Sequence, residues 1–180
     1  MNYLFLATGF EETEAVSVID VLRRADMPLK TVSITKNLLV DGAHGVTIKA
    51  DVLFEDINMA DADFLILPGG MPGTKNLEAH AGLSLALKKH FNEGKNLAAI
   101  CAAPSIYGKL GFLRGRKAIS YPGFEQYLDG AEIQSTTLVE DGNIITAAGP
   151  GVTLAFGLKI VEHAKGANVA ASIAKAMIFK

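Results

Sequence analysis

A chain of 180 residues matches one ordinary domain, long enough to bury a sizeable core and short for two. Seventeen Lys and Arg against 19 Asp and Glu give a net charge of −2, which leaves no basic surface to recruit nucleic acid. With 49% hydrophobic and 20% charged residues, the composition also excludes intrinsic disorder.

The single cysteine, Cys101, excludes a disulfide framework and a zinc–thiolate cluster, and it points to a reducing, cytoplasmic location. The longest apolar run, residues 97–104, is about eight residues, well short of the roughly 18 of a membrane span, so no membrane partner is expected. The opening residues lack a basic flank and run directly into Glu11 and Glu12, which reads as a first buried strand rather than a secretory signal.

Residues 3–7 form a short apolar run closed by Thr8 and Gly9, after which Ala15, Val18, Ile19 and Leu22 repeat at helical spacing. A second strand is predicted over 31–35, and residues 38–48 read as a hairpin turning at Asp41 and Gly42. Residues 63–67 lack polar alternation, the pattern of a strand buried on both faces of a parallel sheet. Leu83, Leu87 and Phe91 supply a helical stripe ending near Gly94, and residues 96–100 make another apolar strand. A helix is expected over 102–110, with Pro104 tolerated in its first turn. A short strand follows at 117–120, then a polar loop or helix at 123–128. Residues 136–140 and 144–147 pair as a hairpin through Asp141, Gly142 and Asn143. Gly149, Pro150 and Gly151 open a helix carrying Leu154, Leu158 and Val161, and an Ala-rich helix over 168–178 ends the chain. This alternation, without repeat or linker, predicts one α/β domain over residues 1–180, with a mostly parallel central sheet and helices on both faces.

In such a sheet the segments that follow each strand emerge at the carboxyl edge, where ligands bind. Four unusual segments occupy those exits: residues 9–14, 68–73, 101–104 and 147–151. None is a phosphate cradle. One glycine followed by Glu11, Glu12 and Glu14 would repel a pyrophosphate, and residues 69–75 have the wrong spacing and order for a P-loop.

Cys101 stands between an apolar strand and a helix, the sharp turn that presents a nucleophile in α/β-hydrolases, and a helix N-terminus there favours thiolate. Taken alone, a thiol beside two alanines fits a packed interior equally well. Ala102 is small enough to bring its backbone amide to a substrate oxygen, and Gly69 and Gly70 offer another amide for an oxyanion hole, which favours the reactive reading. An ionised carboxylate beside Cys101 would oppose the thiolate, so a glutamate helps only if it is partly buried and protonated. Of Glu11, Glu12 and Glu14, at most one is expected to serve; the others read as solvated charges at a helix start. None of His44, His80, His90 and His163 falls at a strand exit, and no spacing supports a metal site.

Residues 9–15, 67–70, 98–104 and 149–151, in that order, resemble the ThiJ/PfpI superfamily, and within it the branch of the parkinsonism-associated deglycase and its bacterial relatives. The resemblance implies a flavodoxin-like sandwich, also described as class I glutamine amidotransferase-like. It further implies a nucleophile-elbow cysteine at Cys101, a protonated partner at Glu14, oxyanion amides at Gly70 and Ala102, and a homodimer. Two positions depart from the pattern. The protease-like branch carries a histidine after the cysteine, where this chain has Ala102, and the deglycase branch's histidine–proline pair is replaced by Tyr121 and Pro122. Tyr121 can donate a hydrogen bond or line the pocket.

The implied function is cofactor-independent chemistry on glyoxals or early glycation adducts, with Cys101 and Glu14 catalytic and Gly69, Gly70, Ala102, Tyr121, Gly149 and Pro150 around the substrate. Two alternatives stand beside it: an oxidative-stress sensor or chaperone-like protein that uses Cys101 oxidation, and a cysteine peptidase, which the absent adjacent histidine disfavours.

Overall fold

The structure, a computed structural model, describes residues 1–179. The chain enters as β1 (Asn2–Leu6) and, after Gly9, forms α1 (Glu12–Arg24). It returns as β2 (Leu29–Ser33), makes an antiparallel hairpin of β3 (Leu39–Asp41) and β4 (Thr47–Lys49), and continues through β5 (Val52–Leu53). β6 (Phe64–Leu67) leads to α2 (Gly73–Ala79) and α3 (Ala81–Asn92); β7 (Asn96–Ile100) leads to α4 (Pro104–Lys109). β8 (Lys117–Ala118) and β9 (Glu132–Ile133) pair with each other alone. The hairpin of β10 (Leu138–Asp141) and β11 (Ile144–Ala147) precedes α5 (Thr153–Lys165) and α6 (Ala167–Ala176).

Seven strands make the main sheet in the order β10-β11-β7-β6-β1-β2-β5, parallel throughout except for β10. The chain runs from β1 out to β2 and later crosses back to β6, so strand order switches between β1 and β6, where open sheets of this kind form their crevices.

Strand side chains alternate faces, so each apolar run feeds two cores. On one face Leu4, Leu6, Phe64, Ile66, Ala98, Ile100 and Ile145 pack with Val18, Val21 and Leu22 of α1 and Phe156 and Ile160 of α5. On the other, Tyr3, Phe5, Leu65, Leu67, Leu97 and Ala99 pack with Leu77, Leu83, Leu87, Ile106 and Tyr107 from α2, α3 and α4. The expected flavodoxin-like layering, with helices on both faces, is the architecture observed.

Local boundaries differ for identifiable reasons. The second strand spans Leu29–Ser33 rather than 31–35, because the Ser33 hydroxyl donates to the Asn37 carbonyl at 2.7 Å and accepts the Thr35 N–H at 3.1 Å, which bends the chain out of the sheet. The helix expected from residue 102 begins at Pro104, after a turn in which Ala103 N–H donates to the Ile100 carbonyl at 3.1 Å. The strand at 117–120 shortens to Lys117–Ala118 and stays outside the main sheet. α2 was not anticipated: Gly69, Gly70, Pro72 and Gly73 read as loop, yet Leu77 anchors a helix by burying against the sheet.

Phe156 is fully buried between α1 and the sheet. Phe156→Ala is expected to lower unfolding free energy in urea by about 3–5 kcal/mol with an unchanged slope. A loss under about 1 kcal/mol would contradict the packing described.

Candidate active site

Glycine sets the geometry first. Gly70 has φ +87°, and a Cβ there would lie 2.4 Å from the Glu11 nitrogen; a Cβ on Gly69 would lie 2.6 Å from the Cys101 Cβ and 2.9 Å from Glu14 Oε2. The β6 exit therefore touches both the β7 exit and α1, a closeness that any side chain at these two positions would prevent.

Cys101 has φ +64°, a left-handed conformation that few non-glycine residues adopt. Its N–H continues the β7–β11 ladder to the Ala147 carbonyl at 2.9 Å, and its carbonyl accepts the Tyr121 N–H at 2.7 Å. The strand-to-helix elbow expected from the sequence is thus present, held on both sides by backbone bonds. Cys101 is 9% exposed, at the edge of burial, and beside it Ser105 Oγ donates to the Ala102 carbonyl at 2.6 Å, fixing the turn.

Glu14 is completely buried. Its Oε2 accepts the Gly69 N–H at 2.6 Å, whereas Oε1 has no hydrogen-bond partner. No hydrogen bond of ordinary geometry reaches Oε1, but the thiol is near enough that each group shifts the other. Burial raises the Glu14 carboxyl to about 7; the Gly69 N–H and the thiol pull the other way, and the Glu11 charge adds to the rise. At neutral pH this carboxyl is therefore poised to hold or release a proton.

The thiol differs from expectation. Burial, and then the Glu14 charge, push Cys101 up to about 12, while the backbone N–H groups of Gly70 and Ala102 directed at the sulfur favour the thiolate. A helix N-terminus does not win here, since α4 is six residues long and starts three residues further on. Cys101 and Glu14 titrate as a pair, and the thiolate form is the one in which the proton sits on Glu14 and the two amides face sulfur.

Glu12 is not the solvated charge the sequence suggests. It accepts from the His44 N–H at 2.6 Å, the His44 ring at 2.9 Å and the Val46 N–H at 3.3 Å, and so ties the β3–β4 hairpin to the start of α1. Burial raises its carboxyl, but these hydrogen bonds outweigh that and hold it down at about 2. Ligand atoms of Glu11, Glu12 and His44 lie within 4.8 Å of one another, a grouping that spans over thirty residues of sequence and that no local spacing reveals. With three N–H donors on it, the Glu12 carboxylate is already fully engaged.

Glu14, Gly69, Gly70, Cys101 and Ala102 thus converge. Tyr121 joins them through its backbone, and its half-exposed ring covers Gly149, where a Cβ would lie 3.2 Å from a ring carbon. Pro150 opens a short turn whose carbonyl accepts from Thr153 Oγ1 at 2.9 Å, and no hydrogen bond links it to Cys101. The four histidines are engaged elsewhere: His44 with Glu12, His80 with Leu83, His90 with Asp63 and Asn96, and His163 with Glu140 and Asn96.

Fold and site together define a flavodoxin-like α/β protein with a cysteine at its elbow and a buried glutamate beside it. The chain belongs to the DJ-1/PfpI family, whose description matches residues 2–163. It is 37% identical over 177 residues to Protein DJ-1 homolog B of Arabidopsis thaliana, covering 97% of this chain and 40% of that protein. It is 37% identical to Protein DJ-1alpha of Drosophila melanogaster, covering 98% and 82%, and 32% identical to Deglycase PfpI of Pyrococcus furiosus, covering 92% and 100%. The chain spans less than half the length of the two Arabidopsis relatives it matches. The structure is similar to oxidized Toxoplasma gondii DJ-1, with TM-score 0.94, 34% identity and coverage of 98% and 97%, and to Drosophila DJ-1beta, with TM-score 0.94, 31% identity and full coverage of both chains. No helix among the described residues is long and apolar enough to cross a membrane.

The thiol of the Glu14→Gln variant, titrated by the pH dependence of iodoacetamide alkylation, is expected to fall by about one unit or more, because the opposing carboxylate is gone. An unchanged midpoint would show that Glu14 does not face the sulfur.

Proposed function

We propose that this protein is a cofactor-independent enzyme acting on glyoxals or early glycation adducts within one domain, with Cys101 as nucleophile and Glu14 as proton carrier. The observation that carries this reading is the buried Glu14 carboxyl, raised to about 7 beside a strained cysteine whose sulfur faces two backbone amides. The names of the Pyrococcus deglycases support the substrate class.

In the proposed reaction on methylglyoxal, sulfur adds to the aldehyde carbon and Glu14 delivers the proton to the former carbonyl oxygen, giving a hemithioacetal. The amides of Gly70 and Ala102 stabilise the oxyanion as it develops. Glu14, now a carboxylate, removes the hydrogen of that carbon as a proton and returns it to the adjacent carbon, while the hydroxyl proton of the hemithioacetal passes to the ketone oxygen. The first carbon is oxidised to a thioester and the ketone is reduced to an alcohol, with no external electron acceptor. Water then cleaves the thioester, so that methylglyoxal and water become lactate and the thiol is regenerated. A group with a midpoint near neutrality suits both directions of proton transfer.

Tyr121, Gly149 and Pro150 belong in this reading to the pocket rim. The homodimer is part of it too, supported by the exposed apolar residues Val16 on α1 and Leu39 and Val46 at the hairpin, as is a reducing location for the free thiol. The oxidation-sensor reading draws on the same thiolate form of Cys101, and turnover of glyoxals is what separates the two readings. A peptidase would need a base such as histidine, and all four histidines have other partners.

Lactate formation from methylglyoxal is the test. Cys101→Ser is expected to fall to background and Glu14→Gln by about 10²-fold or more. Equal rates for wild type and Cys101→Ser would refute the proposal.

A further inference from the structure

The two amides that face the sulfur are aimed from behind. A trans peptide is planar, so its C=O and N–H point in opposite directions, and a donor that grips the carbonyl also fixes the N–H. Glu11 N–H donates to the Gly69 carbonyl at 3.0 Å, on the peptide that carries the Gly70 N–H. Tyr121 N–H donates to the Cys101 carbonyl at 2.7 Å, on the peptide that carries the Ala102 N–H. Each amide directed at sulfur thus has its direction set by a main-chain donor at the other end of its own peptide.

The following peptide is held as well, and here the two amides differ. The Gly70 carbonyl accepts a main-chain bond from Thr74 N–H at 2.9 Å. The Ala102 carbonyl accepts two bonds from one residue, Ser105 N–H at 3.1 Å and Ser105 Oγ at 2.6 Å. The hydroxyl is not needed to satisfy that carbonyl, which the N–H already does. Nor does it cap α4, because capping side chains accept from N–H groups, whereas this one donates to a carbonyl at the helix start. Alanine would form the turn without burying a hydroxyl, as it does at 102 and 103, yet residue 105 is a serine only 2% exposed.

We infer that Ser105 is a positioning residue. Its hydroxyl locks the peptide after Ala102 as the Tyr121 N–H locks the peptide before it, and together they hold the Ala102 amide on the sulfur and on the oxyanion that forms beside it. The oxyanion half rests on the glyoxal reading above; the sulfur half needs only the thiol. With residue 102 free to rock, its N–H turns away, the thiolate loses one of its two amides, and the developing oxyanion loses the same one. The clamp also gives position 121 a role that does not depend on its side chain.

Two readouts test the clamp. Iodoacetamide alkylation at about pH 9 needs no substrate, and it is measured in the Glu14→Gln background, where the thiol is expected to titrate lower. Ser105→Ala is expected to slow alkylation about threefold. Ser105→Thr, which keeps the hydroxyl at a position bordering a 360 Å³ cleft, is expected to retain the parent rate. Replacing Tyr121 by its α-hydroxy acid, which turns the N–H into an ester oxygen and keeps the side chain, is expected to slow alkylation by a similar factor. On methylglyoxal, with Glu14 intact, Ser105→Ala is expected to lower kcat about tenfold with KM within about twofold. A Ser105→Ala protein that alkylates at the parent rate, whatever its thermal stability, would overturn the clamp, as would a Ser105→Thr protein as slow as Ser105→Ala. Alkylation that responds as expected, in a protein whose native sequence turns over no glyoxal, would leave the clamp standing and overturn the glyoxal reading instead.

Discussion

A carboxyl group with no exposed surface, Glu14, sits against a thiol, and the rest of the site follows from keeping it there. Removing a carboxylate from water is costly, so the group retains its proton into the neutral range. The Gly69 N–H at 2.6 Å supplies one firm hydrogen bond, and the other oxygen is left without a partner. Only glycine permits this, because any Cβ at residue 69 would collide with both Cys101 and Glu14. The left-handed backbone at Cys101 is a second strain in the same few ångströms, stabilised by the Ala147 and Tyr121 backbone bonds. Strain and an unsatisfied polar atom both gather at this point, while the two cores below it are packed with ordinary aliphatic residues.

Topology explains why these groups meet. α1 follows β1, the glycine pair follows β6 and the cysteine follows β7, and these strands are consecutive in the sheet. Their exits open on one edge at the change in strand order. Glu12 performs a different task in the same first turn of α1: it fastens the β3–β4 hairpin to the helix, and through its hydrogen bonds stays ionised where Glu14 does not. Two glutamates two residues apart thus titrate on opposite sides of the ordinary carboxylate range, because Glu14 is deeply buried with one N–H donor while Glu12 is less buried and receives three.

Much of this was legible in the chain itself. Residues 63–67 and 96–100 read as buried strands because they lack polar alternation, and the cysteine between strand and helix read as an elbow. Glu14 also carried a local signal: it lies four and seven residues before Val18 and Val21, on the stripe that α1 turns inward. What sequence did not show depends on long-range contact. The Glu12 bonds to His44 join residues 32 apart, α2 is hidden among residues that favour turns, and the raised thiol reflects burial that a helix-dipole argument ignores.

The account stands most directly on the protonation of Glu14, which isotope-edited carboxyl NMR can follow without any substrate. A glutamate carboxyl carbon titrating with a midpoint near 7, and missing from the Glu14→Gln spectrum, is the result expected. A midpoint for Glu14 near the ordinary 4.5 would contradict the account, because a carboxylate fully ionised well below neutral pH could not carry the proton between sulfur and substrate.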